Sequence, residues 1–164
     1  IDEQLGNDSM LYSVYVNKAE LIVDVLYSDS VTGRPRDNWD VPASHMMLIR
    51  ESHLEDFFAK NTTTLDSIAI VSPLSASADK SGEISYHYTY DLSTLLTLQL
   101  RQKQKLDELK FALIPVSITS NSSTGSITSI RQLQTISTTR IRSAANSVNP
   151  MNIEMVYCSF NRTH

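Results

Sequence analysis

The segment Arg34 to Asp40 carries the residue types best suited to ligand recognition in this chain of 164 residues. It reads Arg-Pro-Arg-Asp-Asn-Trp-Asp and contains the only tryptophan, Trp39. An indole face stacks on the apolar C–H face of a sugar ring, while carboxylates, amides and guanidinium groups bond the sugar hydroxyls. The candidate ligand-binding residues are therefore Trp39, Arg36, Asp37 and Asp40. The alternative is that Trp39 points inward and anchors its loop while the charged neighbours are solvated.

Catalytic and metal chemistry find little support in the same sequence. With only four glycines, the chain has no Gly-x-Ser-x-Gly elbow, dinucleotide fingerprint or phosphate-binding loop. The histidines at positions 45, 53, 87 and 164 lack the spacing of zinc ligands. We expect Cys158 to be a small buried apolar residue rather than a nucleophile. The sequence thus predicts no catalytic residue, no cofactor and no metal site.

A glycan-active hydrolase is the less favoured alternative. Such an enzyme needs two carboxylates about 5 to 10 Å apart. The chain offers Asp37, Asp40, Glu51 and Asp91 as candidates, and the tertiary structure must decide whether any two of them form such a pair.

The charge balance argues against nucleic acid as a partner. Fourteen Lys and Arg face 18 Asp and Glu, which gives a net charge of −4 and no basic field. The chain has no apolar stretch of 18 residues, so we expect membrane contact only through an anchor upstream of it. It begins with Ile1-Asp2 rather than Met and a basic leader, which suggests the C-terminal part of a longer exported protein.

The elements that must position these residues are mostly strands. Within 18–27, Ala19, Leu21, Val23, Val25 and Tyr27 fall on one face at period two, which predicts a strand. Its other face mixes charged residues with Ile22 and Leu26, as in a strand that is covered in part. Glu83 to Tyr90 alternates more cleanly, and we expect its Tyr86, Tyr88 and Tyr90 to face the core. Further strands are predicted at Met10 to Val16, His45 to Ile49, Leu109 to Ile118 and Ile153 to Phe160, the last with Ile153, Met155 and Tyr157 on one face. The stretch Ile127 to Arg142 fits a helix in part, but its Ser and Thr content favours a strand or irregular structure.

The connections are predicted to be polar loops and short helices. Ser28 to Ala43 is dense in turn residues and should form one long surface loop. Ser52 to Glu55 has the form of a capping box before a short helix. Asp91 or Ser93 can cap a second, Leu-rich helix. Pro115 suggests that its strand is an edge strand or contains a bulge.

Six or more short strands with little helix indicate one all-β domain spanning residues 1–164. We predict an antiparallel β-sandwich, jelly-roll-like, with one or two short helices in the connections.

Several sequence blocks resemble a family of uncharacterised cell-surface lipoproteins from Bacteroidetes. The blocks are Val16 to Val23, Tyr88 to Ser93 before the Leu-rich helix, Leu109 to Pro115, and Ile153 to Tyr157, in that order. The first block is also similar to the opening strand of secreted β-sandwich modules related to carbohydrate-binding domains. The resemblance implies an exported domain at the outer-membrane surface or in the periplasm, and it implies no catalytic residues.

The same resemblance implies sites of O-glycosylation. Exported proteins of that lineage are modified at Asp, then Ser or Thr, then a small or aliphatic residue. Ser9, Ser30 and Ser67 fit this pattern.

Two classes of function follow as hypotheses. The first is a non-enzymatic, surface-exposed domain that binds a glycan or a neighbouring cell-surface protein. The second is a structural stalk or assembly module without a small-molecule site, which would interact through its strand edges or an uncovered tyrosine face.

Overall fold

The computed structural model is an antiparallel β-sandwich of two four-stranded sheets, which confirms the predicted all-β class. It describes residues 14–26, 42–63, 65, 68–78, 80, 82, 84–101, 109–134, 139, 141–142, 151 and 153–159. The strands are β1 (Val14–Val25), β2 (His45–Arg50), β3 (Ala69–Pro73), β4 (Ser75–Ala78), β5 (Ile84–Asp91), β6 (Phe111–Ser120), β7 (Ile127–Gln132) and β8 (Ile153–Ser159). The helices are α1 (Leu54–Ala59) and α2 (Ser93–Arg101).

The chain passes from one sheet to the other between β3 and β4. The first sheet has the order β4-β5-β1-β8, and the second has the order β3-β2-β6-β7. A single residue, Leu74, separates β3 from β4, and its N–H donates to the Ser44 carbonyl at 2.8 Å. Strands that switch sheets in this way form the corners of a sandwich. This edge of the sandwich is therefore closed by the chain itself.

The inner face of the first sheet follows the predicted alternation. Leu21 pairs with Tyr90, and Val23 pairs with Tyr88. Val23 and both tyrosines are fully buried. A bulge between Val16 and Lys18 lets the two apolar runs at 10–16 and 18–27 contribute to one strand rather than two.

The strand β2 is buried on both of its faces. Met46 and Leu48 pack with the first sheet, whereas Met47 and Ile49 pack with Phe57 of α1. The apolar run Met-Met-Leu-Ile shows no alternation because neither side of the strand meets water. The second sheet is thus the middle layer between the first sheet and α1.

Pro115 does not mark an edge strand, although its strand does take part in an irregular pairing. The strand β6, which carries Pro115, lies between β2 and β7, and its register with β7 shifts between Thr119 and Ser120, as at a β-bulge. The Pro115 carbonyl accepts from the Leu133 N–H at 2.9 Å. Because the N and O of a residue in an antiparallel ladder face the same neighbour, the missing N–H of Pro115 points toward β7 at the end of that pairing. It therefore leaves the pairing with β2 intact.

The predicted capping box is also absent, although the helix after it forms. Residues Glu51–His53 make a 3₁₀ turn, and α1 begins only at Leu54, with His53 as an N-cap that makes no side-chain bond. The Glu51 N–H donates to the Lys110 carbonyl at 3.0 Å, which ties the turn to the chain entering β6. This tertiary bond moves the helix start beyond Ser52.

Candidate functional site

The candidate ligand-binding residues Trp39, Arg36, Asp37 and Asp40 lie outside the described residues. The candidate glycosylation sites Ser9, Ser30 and Ser67 lie outside them as well. The structure does describe the two ends of the connection between β1 and β2, at Leu26 and Pro42. These ends, here called the loop roots, determine how firmly the sandwich holds that connection.

One buried tyrosine connects β1 to the residue that follows Pro42. Tyr88 stands in register with Val23 of β1, and its hydroxyl donates to the Ala43 carbonyl at 2.6 Å. Ala43 is itself buried, and its N–H donates to Thr139 Oγ1 at 3.0 Å. Burial raises the pKa of Tyr88, opposed in part by a hydrogen bond with Thr139. The hydroxyl therefore remains a neutral donor across the physiological pH range.

The β1 root carries a second set of contacts. Val25 forms a β-bridge with Ile141, and the Arg142 N–H donates to the Asp24 carbonyl at 2.9 Å. Nε of Arg142 also lies 3.6 Å from Oδ2 of Asp24. Backbone bonds of this kind fix the direction in which the chain leaves the sheet. The connection that carries Trp39 thus starts and ends on rigid elements.

Asp91, one of the carboxylates considered for glycan hydrolysis, has a structural role. Its Oδ1 accepts hydrogen bonds from the Ser93 N–H and hydroxyl at the start of α2. These bonds, with a smaller contribution from Lys18, hold the pKa of Asp91 below its usual value. A glycosidase general acid needs a raised pKa. Asp91 therefore suits a helix cap and not an acid catalyst, which confirms that it can cap α2.

The cap makes stability depend on acid pH. Because the folded-state pKa of Asp91 is lowered, its contribution is present above the unfolded value of 3.8 and is lost as pH falls through the folded value. We expect Asp91→Asn to lower the melting temperature at neutral pH. On further acidification, the melting temperature of the variant should fall less than that of the wild type. Melting curves from pH 7 to about 2.5 test this. Parallel curves for the two proteins would contradict it.

A second feature of the described structure is an apolar cavity between the two sheets, here called the inter-sheet cavity. Its volume is about 410 Å³. Close-packed interiors leave few voids larger than a water molecule, whereas small-molecule sites span about 300 to 1,000 Å³. The lining residues are Val16, Leu21, Leu48, Leu92, Leu96, Leu100, Leu109, Phe111, Leu113, Met151, Ile153, Met155 and Tyr157.

The cavity has a buried floor and an exposed rim. Leu92, just before α2, and Leu100 of α2 are almost fully buried, whereas Ile153 and Tyr157 of β8 are 51% and 39% exposed. The strand β8 is the edge strand opposite the closed β3–β4 corner. Among the residues that the structure describes, no further strand pairs with β8 on this side of the sandwich.

The sequence predicted the wall of this cavity but not its existence. Ile153, Met155 and Tyr157 were expected on one face of the last strand, and all three line the cavity. The expectation that the adjacent Cys158 is buried is wrong. It is exposed on the opposite face, where its Sγ accepts from Asn17 Nδ2 at 2.9 Å. The reason is that, among the described residues, only the face of β8 turned toward the second sheet packs against other side chains.

Further features of the described residues bear on function. No group of three or more His, Cys, Asp or Glu side chains converges among them. None of the helices that they form is long and apolar enough to cross a membrane. Comparisons with protein-family models, with curated proteins and with solved structures found no match.

Proposed function

We propose that this protein is a non-enzymatic, surface-exposed binding module that takes a glycan through the connection between β1 and β2. Trp39 supplies a stacking face, and Arg36, Asp37 and Asp40 supply hydrogen bonds to hydroxyls. The observation that supports this most directly is the Tyr88 hydrogen bond to Ala43, next to one loop root, made from a strand that pairs with β1 near the other root. A rigid scaffold that holds a loop rich in planar polar groups is a common arrangement for recognition sites.

Export to the outer-membrane surface or the periplasm belongs to the same proposal. The resemblance to surface lipoproteins supports it, as does a sandwich scaffold of the kind that secreted binding domains use. Fractionation of cells expressing the full-length gene, followed by protease treatment of intact cells, tests this location. Recovery of the protein in the soluble cytoplasm would contradict it.

A glycan-array screen of the purified chain tests the proposed ligand class. Wild type is compared with Trp39→Ala and with Ile22→Ala, whose side chain is exposed on the outer face of β1. We expect specific binding by the wild type and by Ile22→Ala, and loss of about tenfold or more in Trp39→Ala. Melting curves on all three separate lost binding from lost folding. Absence of binding by folded wild type would overturn the proposal.

An assembly function is the second candidate, and the edge of the first sheet favours it. The strand β8 contains neither Lys nor Pro, the residues that most often protect an edge. On the outer face, Val156 is 52% exposed, and Tyr15 nearby on β1 is 47% exposed. Such an edge can pair with a strand of a neighbouring protein.

Light scattering after size-exclusion chromatography tests the assembly candidate for self-association. If β8 pairs with a second copy, the wild type should form dimers and Val156→Lys should be monomeric. A monomeric wild type at high concentration would exclude pairing of this chain with itself.

A further inference from the structure

The inter-sheet cavity has the lining of a site for an apolar molecule. We infer that it binds the acyl chain of a lipid-like ligand, which is a slender hydrocarbon tail with one polar end. Among the described lining residues, the Tyr157 hydroxyl is the only hydrogen-bonding side-chain group besides the weakly accepting methionine sulfurs. A sugar or another polar ligand would lose its hydrogen bonds to water without replacement there. This site is separate from the connection proposed to bind a glycan.

The dimensions of the cavity suit one extended tail. The lining residues of β8 run from Ile153 to Tyr157, a rise of about 13 Å along the strand. The volume of about 410 Å³ lies near the lower end of the range for small-molecule sites, which suits a slender guest.

The lining side chains also favour a flexible apolar guest. Met151 and Met155 adapt their shape to what they contact because their side chains are unbranched and polarisable. Apolar cavities of smaller volume exclude water and bind hydrocarbons. Leu92 and the buried leucines of the following helix α2 form the floor, so the tail end would lie against Leu92, Leu96 and Leu100.

The rim explains how such a ligand would enter and which end would face water. Ile153 and Tyr157 are exposed on the edge strand β8, so the opening lies along that edge. The Tyr157 hydroxyl there can bond the polar end of the ligand. A molecule with a polar end and an apolar tail would thus satisfy both parts of the site.

Two stretches of this chain that adjoin lining residues in the sequence, 102–108 and 143–150, are poor alternative occupants by composition. Leu106 and Val148 are their only large aliphatic residues, and the others are charged, polar, Ala or Pro. Too few apolar groups are available there to replace the contacts that a hydrocarbon tail would make.

Isothermal titration of the purified, delipidated chain with palmitate tests the inference. The informative variant is Met155→Trp, which places a larger side chain in the cavity, and its matched control is Val156→Trp on the opposite face of the same strand. We expect palmitate to bind the wild type and Val156→Trp within about twofold of each other, and to bind Met155→Trp about tenfold or more weakly. Bound palmitate should also raise the melting temperature of the wild type.

A second variant keeps the test decisive if Met155→Trp does not fold. Ile153→Asp changes an exposed rim residue, and its carboxylate would lie against the apolar tail rather than the headgroup held at Tyr157, so binding should weaken by a similar factor. Trp39→Ala should leave palmitate binding unchanged, which separates this site from the proposed glycan site. No palmitate binding by the folded wild type would overturn the inference, as would equal affinities of the two Trp variants.

Discussion

Replacing Tyr90 with Ala should lower the free energy of unfolding by about 3 to 5 kcal/mol, the range for large buried aromatics. Tyr90 is fully buried in β5, between the first sheet and β2. Its hydroxyl donates to the Met46 carbonyl at 3.2 Å, so the substitution removes both packing and a bond between the sheets. Urea denaturation followed by circular dichroism measures the change.

Two further variants show which part of Tyr90 matters. Tyr90→Phe keeps the ring and should cost about 1 kcal/mol for the lost hydrogen bond. Ile84→Ala, at the exposed start of the same strand, should change stability by no more than about 0.5 kcal/mol. A Tyr90→Ala protein as stable as Ile84→Ala would contradict the burial of Tyr90 between the sheets.

The same residue should make the fold sensitive to alkali. Burial raises the pKa of Tyr90, and the neighbouring Tyr88 adds to the shift. The neutral hydroxyl contributes stability that is fully present below the unfolded pKa of 10.0 and is lost as pH rises beyond it. We expect the unfolding free energy to fall between about pH 9 and 11, less steeply in Tyr90→Phe. Identical slopes in urea titrations at these pH values would contradict this.

Phe57→Ala should also cost about 3 to 5 kcal/mol in unfolding free energy. Phe57 is 2% exposed and covers the side of the second sheet where Met47 and Ile49 are fully buried. Because α1 has only six residues, its own hydrogen bonds cannot hold it, and packing through Phe57 must do so. Loss of the ring should therefore expose Met47 and Ile49 and raise hydrogen exchange across α1.

The neighbours of Phe57 provide its controls. Phe58 meets Phe57 edge to face with ring centroids 5.4 Å apart, but it is only half-buried, so Phe58→Ala should cost about half as much. Glu55→Ala, exposed on the same helix, should change stability by about 0.5 kcal/mol or less. If Phe57→Ala and Glu55→Ala changed the unfolding free energy equally, α1 would not be packed against the second sheet.

Local pattern in the sequence determined the fold class and much of the first sheet. Successive side chains of a strand point to opposite faces, so the alternation around Tyr88 and Val23 identified their buried faces without knowledge of any partner. The Leu-rich helix after Asp91 was predictable for a similar reason, since capping groups and helical spacing act within a few residues. The candidate glycan-binding residues remain a prediction from residue type.

Contacts between distant residues decided the remaining features. A central strand can contain Pro115 because its missing N–H lies at the end of the pairing with β7. The start of α1 depends on a hydrogen bond from Glu51 to Lys110. The exposure of Cys158 depends on β8 being an edge strand. None of these relations has a signal in the local sequence.

The inter-sheet cavity is the clearest example of the difference between what local sequence determines and what distant contacts decide. The alternation of Ile153, Met155 and Tyr157 determined that they share one face. Only the tertiary structure decided that this face lies opposite Leu48 and Leu113 of the second sheet and belongs to an edge strand. The physical reason is that local pattern sets the direction of a side chain, whereas the volume left between two sheets depends on all the strands that enclose it.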